Sequence, residues 1–239
     1  MNNIELADKL INIANNYRTL YVMGCFGAPL TAANKTRYCA NHAYNKKAER
    51  RQMIMSAFES TFGFDCVNVI KAVLWGWCGD KSKSYGGAKY ASNGVPDISA
   101  NGMISKCTGI STDFSNIEVG EAVWMPDHIG VYIGNGLAVE CTPAWKNGVQ
   151  ITSCNCTKPG YNRRNWVKHG RMPYVTYEKK GGRKMLETGN EIVWELMNGK
   201  LKVPISDVDR AVKAVDKARK TADVNSLYWI LYKLVNGNG

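Results

Sequence analysis

The dipeptide Asn135-Gly136 stands between two short runs, HIGVYI and LAVEC, in which apolar residues dominate. A two-residue Asn-Gly connection accepts the positive φ that a tight antiparallel hairpin needs. The chain is therefore expected to form paired strands over 128–133 and 137–141. Further strand patterns fall at 121–125, 148–152 and 165–169. The first hundred residues read differently. Ile4, Leu6, Leu10, Ile11 and Ile13 recur at helical spacing, so 3 to about 18 is expected to be an amphipathic helix. The second half of 30–52 is expected to be helical, as is 64–77. A short helix is expected after Pro96, capped by Ser99. Helices followed by an antiparallel sheet make the fold class α+β.

The hairpin also carries chemistry. His128 opens its first strand and Glu140 lies in the second, among apolar neighbours. A carboxylate in an apolar strand is costly unless paired. Glu140 is expected either to orient the His128 imidazole or to face water from an edge strand. A thiol lies upstream, where Cys66 follows Phe64-Asp65 and begins the stretch CVNVIKAVLWGW. Val67, Val69, Ile70, Val73, Leu74 and Trp77 give that stretch an apolar face. A thiol in a first helical turn meets unpaired amides and the positive end of the helix dipole, so the thiolate is expected to be favoured. Buried cysteine is equally a small packing residue. Of the three histidines, His42 lies in a polar stretch and reads as loop or exposed helix, and His169 lies late in the strand-rich region.

These pieces resemble the NlpC-type papain-like cell-wall peptidases, in particular their phage-endolysin members. YVMGCFGAP, Tyr21 to Pro29, is similar to the family's N-terminal Tyr-x-x-Gly element. FDCVNVIKAVLWGW resembles the nucleophile helix, GEAVWMPDHIGVYIGNG the strand pair with the histidine, and LAVECTP with WVKHGRMPY the third polar residue and the domain's end. The resemblance spans about 150 residues, one domain's length. It implies Cys66 as nucleophile, His128 as general base and Glu140 as orienter. Asp65 would hold the nucleophile loop, and the Tyr21 hydroxyl would approach the thiol, unless Tyr21 only packs at the core edge. Trp124 and Asp127 join the supporting or substrate-binding residues. Trp75, Trp77, Trp124 and Trp145 either wall a groove or belong to the core. The implied reaction is amide hydrolysis in bacterial peptidoglycan through an acyl-enzyme, without a cofactor or metal. The sequence departs from the family where Val67 and Asn68 replace small residues, and where Asp127 replaces a glycine.

The net charge of +11 suits a polyanionic partner, but no nucleic-acid motif accompanies it. Anionic wall polymers are the partner that fits the resemblance; a solvated surface is the plainer account. No apolar run is long enough to span a membrane. The N-terminus lacks the pattern of a secretory signal. The resemblance then implies synthesis in the host cytoplasm and release to the wall through a separate pore. Eight cysteines in a chain of this size without a signal are expected to be reduced thiols. Cys78 and Cys107 are read as packing residues. Cys154-x-Cys156, near Cys141 and His169, is a weak zinc pattern because its spacing is one residue.

The expected domain organisation is a catalytic domain over 1–177, a charged Gly-bearing linker over 178–189 and a three-helix module over 190–239. The module is a candidate for wall binding, or for self-association of the chain into a homo-oligomer. A non-catalytic wall- or polyanion-binding protein is the alternative function, with a thiol transferase a more distant one.

Overall fold

The computed structural model describes residues 1–177, close to the end of a compact unit at Glu178. The linker and the three-helix module expected from the sequence lie outside the described residues. Within that unit the architecture is α+β, as the patterning indicates. Its centre is α5 (Cys66–Leu74), every residue of which is buried. The helix is apolar on most sides. Its two polar interior residues are satisfied: Asn68 by Asp65, and Lys71 by the Asp97 carboxylate and the Ile98 carbonyl at 3.0 Å.

Two sheets enclose this helix. The larger has seven strands in the order β4-β10-β5-β6-β7-β8-β9: β4 (Thr108–Ser111), β5 (Ala122–Met125), β6 (His128–Gly134), β7 (Leu137–Thr142), β8 (Gly148–Cys154), β9 (Arg163–Arg164) and β10 (Lys168–Arg171). All its pairs are antiparallel except β8 with β9. The β6–β7 hairpin closes at Asn135-Gly136, both with positive φ, and its register sets Gly130 opposite Glu140. Helix α1 (Asn3–Asn16) begins at an Asn2–Glu5 capping box and packs on β6, β7, β8 and α5.

The smaller sheet was not visible in the sequence patterning. It contains β1 (Thr19–Tyr21), β3 (Phe62–Phe64) and β2 (Phe26–Pro29) in the order β1-β3-β2, with β1 and β3 parallel. Its strands of three or four residues are too short to display alternation. Strand β3 leads directly into α5, so the small sheet delivers Cys66 to the large one. Helices α2 (Ala32–Asn41), α3 (Ala43–Lys46) and α4 (Ala48–Ser56) lie between β2 and β3. The short helix α6 (Ala100–Ser105) starts where Ser99 accepts the Gly102 amide.

Gly130, two residues after His128, occupies a tight place in β6. A Cβ there would stand 2.7 Å from the Val139 carbonyl oxygen and 3.1 Å from the Trp166 ring. Among the described residues, no helix is long and apolar enough to cross a membrane.

Candidate active site

Asp65 is the N-cap of α5 and ties three segments together. Its Oδ1 accepts the Asn68 amide at 2.8 Å; Oδ2 accepts the Gly24 amide at 2.8 Å and the Asn68 side chain at 2.7 Å. The tie to Gly24 holds the Tyr21–Gly24 segment against the start of the helix. Burial raises the Asp65 carboxyl above its usual range, and these hydrogen bonds and Lys71 work the other way. Replacing Asp65 by Ala leaves two amides without their acceptor. Loss of about 2 kcal/mol is expected from urea unfolding at neutral pH.

Cys66 is 8 % exposed and follows this cap. Backbone groups on both sides of His128 reach the sulfur: the Asp127 carbonyl oxygen is 3.9 Å away, and the Ile129 amide points to it. The strand that carries the imidazole therefore passes directly against the thiol. The expectation of a favoured thiolate does not hold in this resting arrangement. Burial, then the Asp65 charge, pushes the thiol up to about 12. Amides of Val67, Ile129 and Cys66 itself oppose the rise but do not cancel it. The dipole at a helix start is a local effect, and removal from water outweighs it here.

The imidazole is held on two sides. His128 Nε2 lies 2.6 Å from Glu140 Oε2, which leaves Nδ1 for exchange with a thiol. The Trp166 indole stacks on the ring, with centroids 5.5 Å apart and planes at 5°. The His128 side chain is 14 % exposed and that of Glu140 is 0 % exposed.

Full burial of a carboxylate demands several donors. Besides His128, Glu140 receives Thr152 Oγ1 at 2.8 Å and the Arg164 fork, whose Nε lies 3.1 Å from each oxygen and Nη2 2.8 Å from Oε2. Burial alone would raise its carboxyl; hydrogen bonds from His128 and Arg164 hold it below the usual glutamate value. Glu140 thus faces the interior and not water.

The other residues singled out in the sequence divide. Tyr21 is buried beside Cys66, its ring edge-on to Tyr44 and under the Arg50 guanidinium. Burial, then the Cys66 charge, raises its phenol well above the ordinary value, so it remains a donor. Its hydroxyl makes no hydrogen bond among the described residues. Asp127 sits in the β5–β6 turn with φ of 61°, and Asn101 binds its carboxylate at 2.6 Å. The same Asn101 accepts the Trp124 indole N–H at 2.9 Å. Trp75 and Trp77 are core residues, whereas Trp145 is exposed.

His42 is half-buried, its ring packed where a Gly24 side chain would sit. His169 bonds Glu121 and the Asp113 carbonyl in a separate cleft. All eight cysteines are free thiols. Cys107 is buried as expected, but Cys78 is exposed, because α5 ends at Leu74 and Cys78 lies beyond its packed face. Among the described residues, no group of three His, Cys, Asp or Glu could hold a metal ion.

Sequence reasoning missed Arg164, Thr152, Trp166 and Asn101. Thr152 alternates with inward residues of an expected strand, which was a usable signal. Arg164 lies in a segment read as a loop, and nothing local marks it.

No family model matches the sequence, and no curated protein matches it. The functional reading therefore rests on the geometry of the site and on the residue pattern.

Proposed function

We propose that the protein is a cysteine hydrolase of peptidoglycan amide bonds, an endolysin-like enzyme on a papain-like NlpC-type domain. The observation that carries the reading is the meeting of three elements. A helix-start thiol lies against the strand of His128, and His128 is held by a buried, ionised Glu140. A nucleophile, a base and an orienting group in that order make an acyl-transfer site.

The chemistry runs as follows. The neutral Cys66 thiol gives its proton to His128 Nδ1 as the sulfur attacks the amide carbon. The oxyanion of the tetrahedral intermediate accepts hydrogen bonds from the Cys66 amide, which has no partner within the helix, and from the Tyr21 hydroxyl. The carbon–nitrogen bond breaks, and His128 returns the proton to the leaving amine. A thioester remains on Cys66. Water then attacks it, with His128 taking the water proton, and the carboxylate product leaves as the thiol is restored. Glu140 fixes the imidazole ring and stabilises its charged form in both halves. A starting thiol near 12 makes proton removal part of the attack, not a preceding equilibrium.

The net charge of +11 supports a wall of anionic polymers as the surrounding medium. Synthesis in a host cytoplasm with passage through a separate pore belongs to the same reading. The test is digestion of purified walls. Free amines should rise without new reducing sugar ends, and the release should be lost in a folded Cys66→Ala protein. No amine release by the folded wild-type protein, with binding to the walls retained, would favour the non-catalytic wall-binding alternative.

A further inference from the structure

We infer that Arg164 is a positioning residue of this site: its guanidinium fork sets how Glu140 divides its charge between two cationic partners, and so fixes the pH at which His128 can act as base. The inference rests on the proposed thiol hydrolase.

The segment 163–166 is a clip at the sheet's edge. Strand β9 runs parallel to β8, with Arg164 beside Cys154. Asn155, at φ of 56°, holds the clip at three points. Its amide donates to the Arg164 carbonyl at 3.0 Å, its Oδ1 accepts the Trp166 amide at 2.6 Å, and its Nδ2 donates to the Trp166 carbonyl at 3.1 Å. The clip carries both Arg164, which forks onto Glu140, and Trp166, which stacks on His128. One clip therefore sets Arg164 on Glu140 and Trp166 on His128.

The Arg164 side chain is 18 % exposed. Three of its contacts go to Glu140, and Nη2 also donates to Thr142 Oγ1 at 3.1 Å. Its outer face lies 4.6 Å from the centroid of Trp145, which is 47 % exposed, although isolated exposed aromatics are common on protein surfaces. The ring adds a cation–π contact on the side of the guanidinium away from the hydrogen bonds to Glu140.

The other groups around the pair do not supply this charge. Glu140 also meets neutral Thr152 from β8 and lies near the Cys141 thiol. The backbone on either side of His128 meets the Cys66 sulfur of α5, and Asp65 lies beside that thiol; the neighbouring Asp127 carboxylate is engaged by Asn101. Arg163 turns its Nε to Asn165 at 2.8 Å. Among the described residues, Arg164 is the cation that forks onto Glu140.

The consequences have one sign. Without the guanidinium, His128 keeps the whole carboxylate and loses a nearby positive charge, so its imidazolium is favoured. Glu140 itself binds a proton more readily. Each change moves the acid limb of activity to higher pH, by about one unit. Arg164 does not touch the reacting atoms, so KM should stay while kcat falls.

The test uses Arg164→Gln and Arg164→Lys in the full chain. Two readouts are needed: the pH dependence of amine release from purified walls, and NMR titration of the His128 ring, which needs no turnover. Arg164→Gln should raise both the acid limb and the His128 midpoint by about one unit. Arg164→Lys keeps a cation but not the fork. It should bring the midpoint back towards wild type while kcat stays several-fold low. A folded Arg164→Gln protein with the wild-type midpoint and limb overturns the inference. If Arg164→Gln does not fold, wild-type kcat in Arg164→Lys at every pH overturns it. Failure of the wild-type protein to release amines would sink the hydrolase reading, and the ring titration would still decide the role of Arg164.

Discussion

Cys66→Ala should abolish amine release from peptidoglycan, with turnover down by about 10⁴-fold or more, while the circular dichroism spectrum stays that of the wild type. The loss is expected to be this large because the covalent route has no second nucleophile in the arrangement. Of the other buried thiols, Cys141 spends its sulfur on the Phe64 carbonyl at 3.4 Å, and Cys25 is fully buried. The fold should survive because the side chain is small. The Asp65 cap and the packing of α5 do not depend on sulfur. Retained lysis in a folded Cys66→Ala protein would overturn the assignment of the nucleophile. Melting that drops sharply in the same variant would make Cys66 a packing residue instead.

Glu140→Gln should have the second largest effect, and it acts on activity and stability together. The amide cannot accept the Arg164 fork with both atoms, and it no longer stabilises an imidazolium. Turnover should fall about 10³-fold. Stability should fall by about 3 kcal/mol, the low end for breaking a buried pair, because Arg164 retains some contact with water. The pH dependence carries a sign. Glu140 sits below its usual value when folded, so its contribution is present above the unfolded pKa. It is lost as pH falls through the folded one. The wild-type protein should therefore lose stability on acidification in part through this group. In urea titrations the difference between wild type and Glu140→Gln should be large at pH 7 and shrink towards pH 3. A constant difference across that range would remove Glu140 as an ionised partner.

What could be read in advance follows from the range of the forces involved. The β6–β7 hairpin was legible because Asn135-Gly136 and alternation act over a few residues. The body of α5 was legible because Val67, Val69, Ile70, Val73 and Leu74 recur at helical spacing, whereas the expected 64–77 is shortened to Cys66–Leu74 with Asp65 as its cap. The hairpin register puts His128 and Glu140 on adjacent strands, but the local pattern leaves open whether Glu140 meets the imidazole or water; in the structure the two side chains are 2.6 Å apart. The small sheet was not legible: Phe62-Gly63-Phe64 is buried on both sides and shows no alternation. Arg164 was hidden for a different reason. Its value lies in meeting Glu140, 24 positions away in the chain, from a two-residue strand in a polar stretch containing Pro159-Gly160. The thiol's protonation was misread because helix position can be seen in sequence, whereas enclosure by a strand from the other sheet cannot.

The bare backbone at Gly130 has a consequence for how this chain can vary. Even the smallest side chain would collide with the facing carbonyl and lever the indole away from the imidazole beneath it. Mutational drift is thus closed at a position that takes part in no chemistry. Gly130→Ala would leave every candidate site residue in the polypeptide and still displace the His128 imidazole, so damage there would pass for a loss of the proposed catalytic residues in any survey that scores activity alone.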